Sequence, residues 1–327
     1  MDVYDNTVIY ILTLESAGLE TVHSCHQLCY KLRRFRYNAK LFIPLASGGN
    51  FEANPDFAKY GCEVASSLGD DPRNILIVPE TATQLLYKFQ RIRKAIWWLS
   101  VNNYYSVVFR IASWENPNFF NIISPYNCFH FTASFYAKKH LELFSIPKSQ
   151  IAPLEPYVNS ALVLKSNIQF KKQDFVAYNA KIVSRFLAGV LSFFKEEKYS
   201  HIKFVPVADN MPVNLRADVF KLSKVFFDFG DFAGRESTSQ EAALFEACVI
   251  TGKTGAAAYI QDTPIPEKYK FGYEPENVAA AAKSILDCVN NYEKNIGDFT
   301  EYKNFSKGLE GQFEKNIKDI FVKVKEL

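Results

Sequence analysis

Residues 228–270, DFGDFAGRESTSQEAALFEACVITGKTGAAAYIQDTPIPEKYK, contain one complete strand–loop–helix–strand passage. An apolar strand closes at Phe229. A polar loop follows over 230–240, and small residues from Glu241-Ala242-Ala243 open a helix. A short strand, Val249-Ile250-Thr251, then runs into Gly252-Lys253-Thr254-Gly255. Short β-branched or apolar runs separated by helical segments mark a parallel sheet covered on both faces.

The same alternation extends on both sides. Downstream of residue 170 the pattern predicts strands at 175–178, 202–207, 225–229 and 248–251, with helices at 182–195, 213–222 and 239–247. Two further helices, 275–291 and 304–325, close the chain, the last amphipathic and charged. Upstream, 7–14 (TVIYILTL) reads as a strand, followed by the turn Glu15-Ser16-Ala17-Gly18. Residues 19–35 carry Leu19, Val22, Leu28 and Leu32 at helical spacing and end in Arg33, Arg34 and Arg36, which suits a helix dipole. Further strands are expected at 41–45, 74–78, 95–99 and 129–132, with helices at 83–92 and 134–144. Residues 147–156 hold three prolines and little periodicity, and 157–170 are polar and irregular, so the domain junction is placed there. The expected organisation is two Rossmann-like, doubly wound α/β domains, 1–158 and 159–303, facing a central cleft. A C-terminal helix, 304–327, is expected to pack back on the first domain.

Composition excludes several classes. In 327 residues, 48% belong to the AVILMFWYC set and 22% are charged, enough to build packed cores. A formal charge of +3 is too small to argue nucleic-acid binding. The acidic start, Met1-Asp2-Val3-Tyr4-Asp5-Asn6, lacks the basic region of a secretory signal, and no stretch reaches the ~20 apolar residues of a membrane span. Six scattered cysteines without a C-x-x-C pair suit reduced, mostly buried thiols, so a cytoplasmic location is expected. The cluster His23, Cys25, His26 and Cys29 lacks a distant second ligand pair, and the packed face of a helix explains it better than zinc.

The 230–255 passage favours an anionic ligand. A Gly-, Ser- and Thr-rich loop lets backbone N–H groups converge, and a helix N-terminus adds positive potential there. Gly234, Arg235, Glu236, Ser237 and Thr238 are placed on a diphosphate, with Thr251 and Lys253 at the mouth of the same sheet. Glu241, near the helix start, is placed on a ribose diol. A phosphate-plus-ribose ligand means a nucleotide or nucleotide-sugar.

This stretch also resembles a family. Glu241-Ala-Ala-Leu-Phe-Glu-Ala-Cys-Val-Ile250 is similar to the donor-site element of GT-B glycosyltransferases. Asp228-Phe229-Gly230, Gly234-Arg235-Glu236, Val249-Ile250-Thr251, Gly255-Ala256-Ala257 and Ile265-Pro266-Glu267-Lys268-Tyr269-Lys270-Phe271 resemble a bacterial surface-polysaccharide subgroup. Ala177-Tyr178-Asn179-Ala180-Lys181 resembles that subgroup's Y-N-P-K-K strand end, which places Lys181 on the diphosphate. Ile96-Trp97-Trp98-Leu99-Ser100-Val101-Asn102-Asn103-Tyr104 resembles its W-L-S-V-D-N-Y element. The chain departs from the wider retaining pattern at Ala233, where the first of two glutamates would stand, and from the subgroup at Ala233 and Gln240.

In the first domain, Glu15 and Glu80 follow strands and are the candidates for a catalytic base, solvated surface and helix capping being the duller readings. Gly18 is a candidate for close approach of a phosphate or acceptor, although a strand–helix turn takes glycine anyway. His130 reads as a core histidine, and Asp228 and Asp231 as turn residues. The basic, aromatic stretches 31–37 and 88–98 could rest on an anionic membrane surface, with solvated helix ends as the default. No D-x-D motif calls for a metal. The resemblance implies a cytoplasmic, metal-independent glycosyltransferase with a nucleotide-sugar co-substrate, extending a capsule, O-antigen or lipooligosaccharide. Its expected partners are a glycan or lipid-linked acceptor and peripherally the inner membrane, with no nucleic acid. A nucleotide-sugar epimerase of the same plan and a non-catalytic scaffold remain the alternatives.

Overall fold

The computed structural model describes residues 1–14, 17–44, 55–109, 128–158, 171–181, 184–208 and 211–325. They divide into two compact units, 1–156 with 311–327, and 157–310.

The first unit is built on a six-stranded, wholly parallel sheet. Its strands are β2 (Ile9–Leu12), β3 (Ala39–Phe42), β4 (Ile75–Pro79), β5 (Arg93–Trp98), β6 (Phe129–Thr132) and β7 (Ile151–Pro153), in the order β3-β2-β4-β5-β6-β7. A short two-stranded sheet pairs β1 (Asp2–Val3) with β13 (Val322–Lys323). Every residue of β2 and β4 is buried, as expected of strands covered on both faces. Helix α1 (Leu19–Arg34) follows β2, and α2 (Phe135–Leu143) follows β6.

The second unit has a five-stranded parallel sheet, β12-β11-β10-β8-β9. Its strands are β8 (Gln173–Asn179), β9 (Lys203–Val207), β10 (Ser223–Asp228), β11 (Cys248–Gly252) and β12 (Lys270–Phe271). Helices α3 (Arg185–Phe193), α4 (Val213–Leu222), α5 (Ser237–Leu244) and α6 (Val278–Asn290) intervene or follow. Phe227 stacks on Tyr178 with centroids 5.5 Å apart, and Phe186 meets Phe229 edge-on at 4.9 Å, so the aromatic content of this half fills its core.

In both sheets the chain steps one way from its first long strand and then returns to the other side. The reversal falls between β2 and β4 in the first unit and between β8 and β10 in the second. Adjacent connections leave in opposite directions there, which opens a crevice at the carboxyl ends of the strands.

Helix α7 (Thr300–Ile320) contributes to both units, the division falling at Glu310/Gly311. In the first unit Phe313, fully buried, stacks on Trp97 at 6.3 Å, and Glu314 pairs with the buried Lys31 at 2.6 Å.

Several expectations are corrected. Residues 83–92 do not form an α-helix; a kinked 3₁₀ helix occupies Glu80–Lys88, and the chain leaves it for β5 at Arg93. The short strand β7 lies in the proline-bearing stretch read as irregular, because Ile151 and Ala152 pair with His130 and Phe131 at the sheet edge. Lys31, Trp97 and Trp98 are 1%, 1% and 0% exposed, so these members of the basic, aromatic stretches belong to the core rather than to a membrane-facing surface. Among the described residues, no helix is long and apolar enough to cross a membrane.

Phe313→Ala empties the space over Trp97. It should cost about 3–5 kcal/mol of stability, read as a lower urea midpoint, and a midpoint unchanged from wild type would contradict this packing.

Candidate functional site

The reversal point of the second sheet is organised by one buried carboxylate. Asp228, 1% exposed, ends β10. Its Oδ1 accepts the Asn179 side-chain N–H at 2.9 Å and the Gly230 backbone N–H at 2.8 Å. Asn179 ends β8, and its Oδ1 accepts the Lys181 backbone N–H at 2.9 Å. The bond from Gly230 is the turn chemistry expected of an Asp before a glycine. The side chains thus tie together the two strand ends that flank the crevice and set where Lys181 and the 230–236 loop begin.

That loop is braced against the Gly252–Gly255 turn. Thr254 Oγ1 donates to Gly230 O at 3.0 Å, the Tyr273 hydroxyl donates to the same oxygen, and the Ala256 N–H reaches Phe232 O at 2.8 Å. Gly255 has φ +48°, and a Cβ there would lie 2.0 Å from Phe232 O. A Cβ on Gly252 would lie 1.9 Å from the Tyr273 hydroxyl oxygen. Gly255 is therefore required by the close approach of backbone, while a side chain at 252 would displace the Tyr273 ring.

Glu236 is the N-cap residue of α5, and Ser237 and Thr238 form its first turn, where N–H groups have no acceptor within the helix. Gly234 and Thr238 are buried, while Glu236 and Ser237 are half-buried. Arg235 turns inward. Its side chain is 4% exposed, Nη2 binds Asp262 Oδ1 at 2.9 Å, and the guanidinium lies 4.9 Å from the Phe305 ring centroid. This cation is thereby counterbalanced inside the unit and anchors the loop to α7. Glu241 meets Arg216 of α4, accepting from Nε at 2.5 Å and Nη2 at 2.9 Å. Lys181 is exposed, and Lys253, also exposed, pairs with Glu267 at 2.7 Å. The described geometry therefore gathers Lys181, the loop and the start of α5 around one reversal point. It gives Arg235 and Glu241 protein partners that the sequence did not indicate.

Thr251, fully buried, is in register with Asp228 on one side and Lys270 on the other. Lys270 is 6% exposed, and burial holds its amine below the usual lysine range. Sequence reasoning missed Asn179, Arg216, Asp262 and Lys270 as parts of this site. Asn179 and Lys270 stand within quoted motifs, whereas Arg216 and Asp262 carry no local signal.

In the first unit, Glu15 lies outside the described residues. Gly18 is the N-cap residue of α1, with φ −58°, and a Cβ there would meet nothing within 4 Å. Its position at the end of the first connection is open, and its backbone does not demand glycine. Glu80 immediately follows β4 at the reversal point but is 0% exposed, and its Oε2 accepts the Leu99 N–H at 2.9 Å. It joins the end of β4 to the turn after β5 and presents no carboxylate to solvent. Burial pushes its carboxyl up to about 7. His130 is fully buried, accepts the Trp98 indole N–H at 3.1 Å on Nδ1, and is pushed down to about 3 by burial, as a core histidine should be. Among the described residues, no group of three or more His, Cys, Asp or Glu could hold a metal ion.

No protein-family model matches the sequence, and no curated protein matches it. Solved structures do. A glycosyltransferase from Rickettsia africae superposes with a TM-score of 0.63 at 13% identity, over 97% of this chain and 99% of that one. The sucrose-phosphate synthase of Thermosynechococcus elongatus gives 0.63 at 13% identity, over 96% and 98%. Anabaena Alr3699/HepE, solved with UDP-glucose, gives 0.64 at 11% identity, over 96% and 99%. The fold is thus the mixed α/β, parallel-sheet architecture of GT-B glycosyltransferases.

Two outcomes follow from the geometry. The Glu80 carboxyl rises from 4.5 to about 7 on folding, so its contribution is fully present below pH 4.5 and is lost as pH rises through about 7. Glu80→Gln should therefore gain stability relative to wild type between pH 5 and pH 8, by up to roughly 3 kcal/mol. Urea titrations at both pH values check this, and a constant difference between the two proteins would refute it. Gly255→Ala must strain the turn or push it off Phe232 O. A loss of about 1–3 kcal/mol in the same assay is expected, and a neutral substitution would contradict the turn described.

Proposed function

We propose that this protein is a glycosyltransferase that moves a sugar from a nucleotide-diphosphate sugar onto a growing bacterial surface glycan. The observation that carries the reading is the Asn179–Asp228 reversal point, which gathers Lys181, the 230–236 loop and the start of α5 at one strand edge. The fold shared with a UDP-glucose-bound protein over nearly the whole chain supports it. Cleavage of the donor's glycosidic bond builds negative charge on the departing diphosphate. Lys181 and the N–H groups of Gly234–Thr238 would stabilise that charge. Arg235 would act through its pair with Asp262, which holds the loop, and Glu241 would receive the ribose once Arg216 shares it. Exposed Lys253 would complete the rim, and Thr251, fully buried beside Asp228, would support it from beneath. The first unit would present the acceptor, with Gly18 at the opening after β2 and Glu15 as the candidate base. Because Glu80 is fully covered, its proposed part is to position the β4 and β5 ends rather than to take a proton.

Transfer needs no metal, the acceptor is a capsule, O-antigen or lipooligosaccharide precursor, and the protein works in the cytoplasm. The exposed Arg33, Arg34 and Arg36 at the end of α1 would favour an anionic bilayer surface.

The test is a thermal-shift screen with UDP-, GDP-, CMP- and ADP-sugars, because a ligand that prefers the folded state raises apparent stability. One nucleotide class should stabilise the protein, and Lys181→Ala should weaken that donor about tenfold, as expected for a loss of ~1.4 kcal/mol. No stabilisation by any donor, or a Lys181→Ala variant with wild-type donor affinity, would overturn the reading. An epimer formed without acceptor would favour the epimerase, and tight nucleotide binding without turnover over an acceptor panel would favour the scaffold. Glu241 and Arg235 already have protein partners, which is the structural feature that best suits a scaffold.

A further inference from the structure

All six cysteines are free thiols, and four of them stand in two mutually hydrogen-bonded pairs, Cys29 with Cys62 and Cys248 with Cys288. The two pairs differ in access. Cys248 lies on β11 and Cys288 on α6, both with no exposure, inside the core of the second unit. Cys29 is likewise covered, on the face of α1 turned toward β3, where its Sγ is 3.7 Å from Ala39 O. Cys62 is half-buried and reachable from solvent.

The fold brings Cys62 there by a defined route. Gly61 takes φ +54° after the 3₁₀ helix Pro55–Tyr60 and turns the chain along the outer edge of β3. The Leu41 N–H bonds Glu63 O at 2.9 Å, and the Ala65 N–H bonds Leu41 O at 2.8 Å, so the chain just after Cys62 is pinned to β3 by a short edge bridge at Val64. Its Sγ lies 3.5 Å from His26 O on α1, three residues before Cys29. Two independent anchors, a helix and a sheet edge, therefore set Cys62 against the turn of α1 that carries Cys29.

We infer that Cys29 and Cys62 are a peroxide-responsive thiol pair that closes to a disulfide while Cys248 and Cys288 stay reduced.

The roles within the pair follow from their surroundings. The hydrogen bond from Cys29 and the nearby Arg33 guanidinium hold the Cys62 thiol below its usual range, while that bond and burial raise Cys29. Arg33 also binds Glu63 at 3.3 Å, and Lys40 binds the same carboxylate at 2.5 Å, so both cations and the acid face this corner. Cys62, the sulfur that solvent reaches, is the nucleophile as its thiolate, and the covered Cys29 is the resolving thiol. The thiolate sulfur attacks one oxygen of hydrogen peroxide and the O–O bond breaks. Cys62 becomes a sulfenic acid, and the departing hydroxide leaves as water with the proton released by the thiol. Cys29 then loses its proton, its sulfur displaces hydroxide from Cys62, and a second water leaves. Two thiols and one peroxide become one disulfide and two waters, a two-electron oxidation. The new bond, about 2.05 Å long, fastens α1 to the edge segment that covers β3, and a reductant restores both thiols.

The test uses the full chain, reduced and then exposed to limiting hydrogen peroxide under native conditions. Remaining thiols are alkylated after unfolding, and digests are mapped by mass spectrometry. A linked Cys29–Cys62 peptide lacking two hydrogens is expected, reversed by dithiothreitol, with Cys248 and Cys288 recovered alkylated. Cys62→Ser should leave Cys29 alkylated, and Cys29→Ser should hold Cys62 as a sulfenic acid that a second equivalent of peroxide carries to sulfinic acid, because nothing resolves it. Recovery of wild-type Cys29 and Cys62 as unlinked thiols, accumulation of over-oxidised Cys62 beside reduced Cys29, or linkage of Cys248 to Cys288 at the same rate would each overturn the inference. The wild-type map decides it even where a variant fails to fold.

Discussion

The second unit is organised around the Asp228 carboxylate. A carboxylate this deeply buried is costly unless donors surround it, and the donors it takes come from the Asn179 side chain and the Gly230 backbone. The first ties β8 to β10 across the point where the connections diverge. The second sets the direction in which the 230–236 loop leaves the sheet. Asn179 in turn holds the Lys181 N–H, and Gly230 O receives Thr254 and Tyr273. Both walls of the strand-end crevice are thus referred to one buried oxygen.

Beyond that centre, ion pairs carry orientation more than stability. Arg235–Asp262 is almost wholly removed from water, where the cost of stripping two charges offsets much of their attraction. What the pair supplies is direction, since a planar guanidinium held by Asp262 and stacked near Phe305 fixes the loop. Arg216 does the same for Glu241 with a two-point contact from the neighbouring helix. In the first unit Glu80 repeats the theme, a covered acid that joins the ends of adjacent strands. Placing such groups at strand ends holds fixed the backbone from which exposed side chains such as Lys181 project.

The strands and most helices were legible in the sequence because their patterning is local. The runs TVIYILTL and NILIV are apolar over strand length, and residues 213–222 have both the spacing and the boundaries of α4. The misreadings have equally local causes. Residues 83–92 carry helical spacing, but β5 must begin at Arg93 to meet Ile75, which leaves room only for a kinked 3₁₀ segment. Lys31 and Trp97 sit in stretches that look solvated, and burial comes to them from Glu314 and Phe313, far away in the chain. The loop and helix of the candidate site were visible from Gly234 to Glu241, as were Lys181 and Lys253. The partners Arg216 and Asp262 were not, because a charge 25 or 27 residues distant gives no sign of which opposite charge it will meet.

By itself the sequence determined the alternation of strand and helix, hence two parallel α/β sheets, and a Gly-, Ser- and Thr-bearing loop opening a helix after Asp228. Period and turn chemistry act between residues a few positions apart, so they survive in a linear reading. Only the tertiary structure decided the strand order, the reversal points, the inward turn of Arg235, the covering of Glu80 and the meeting of Cys29 with Cys62. Those depend on which surfaces exclude water from one another, and burial is a property of neighbours in space, not in sequence.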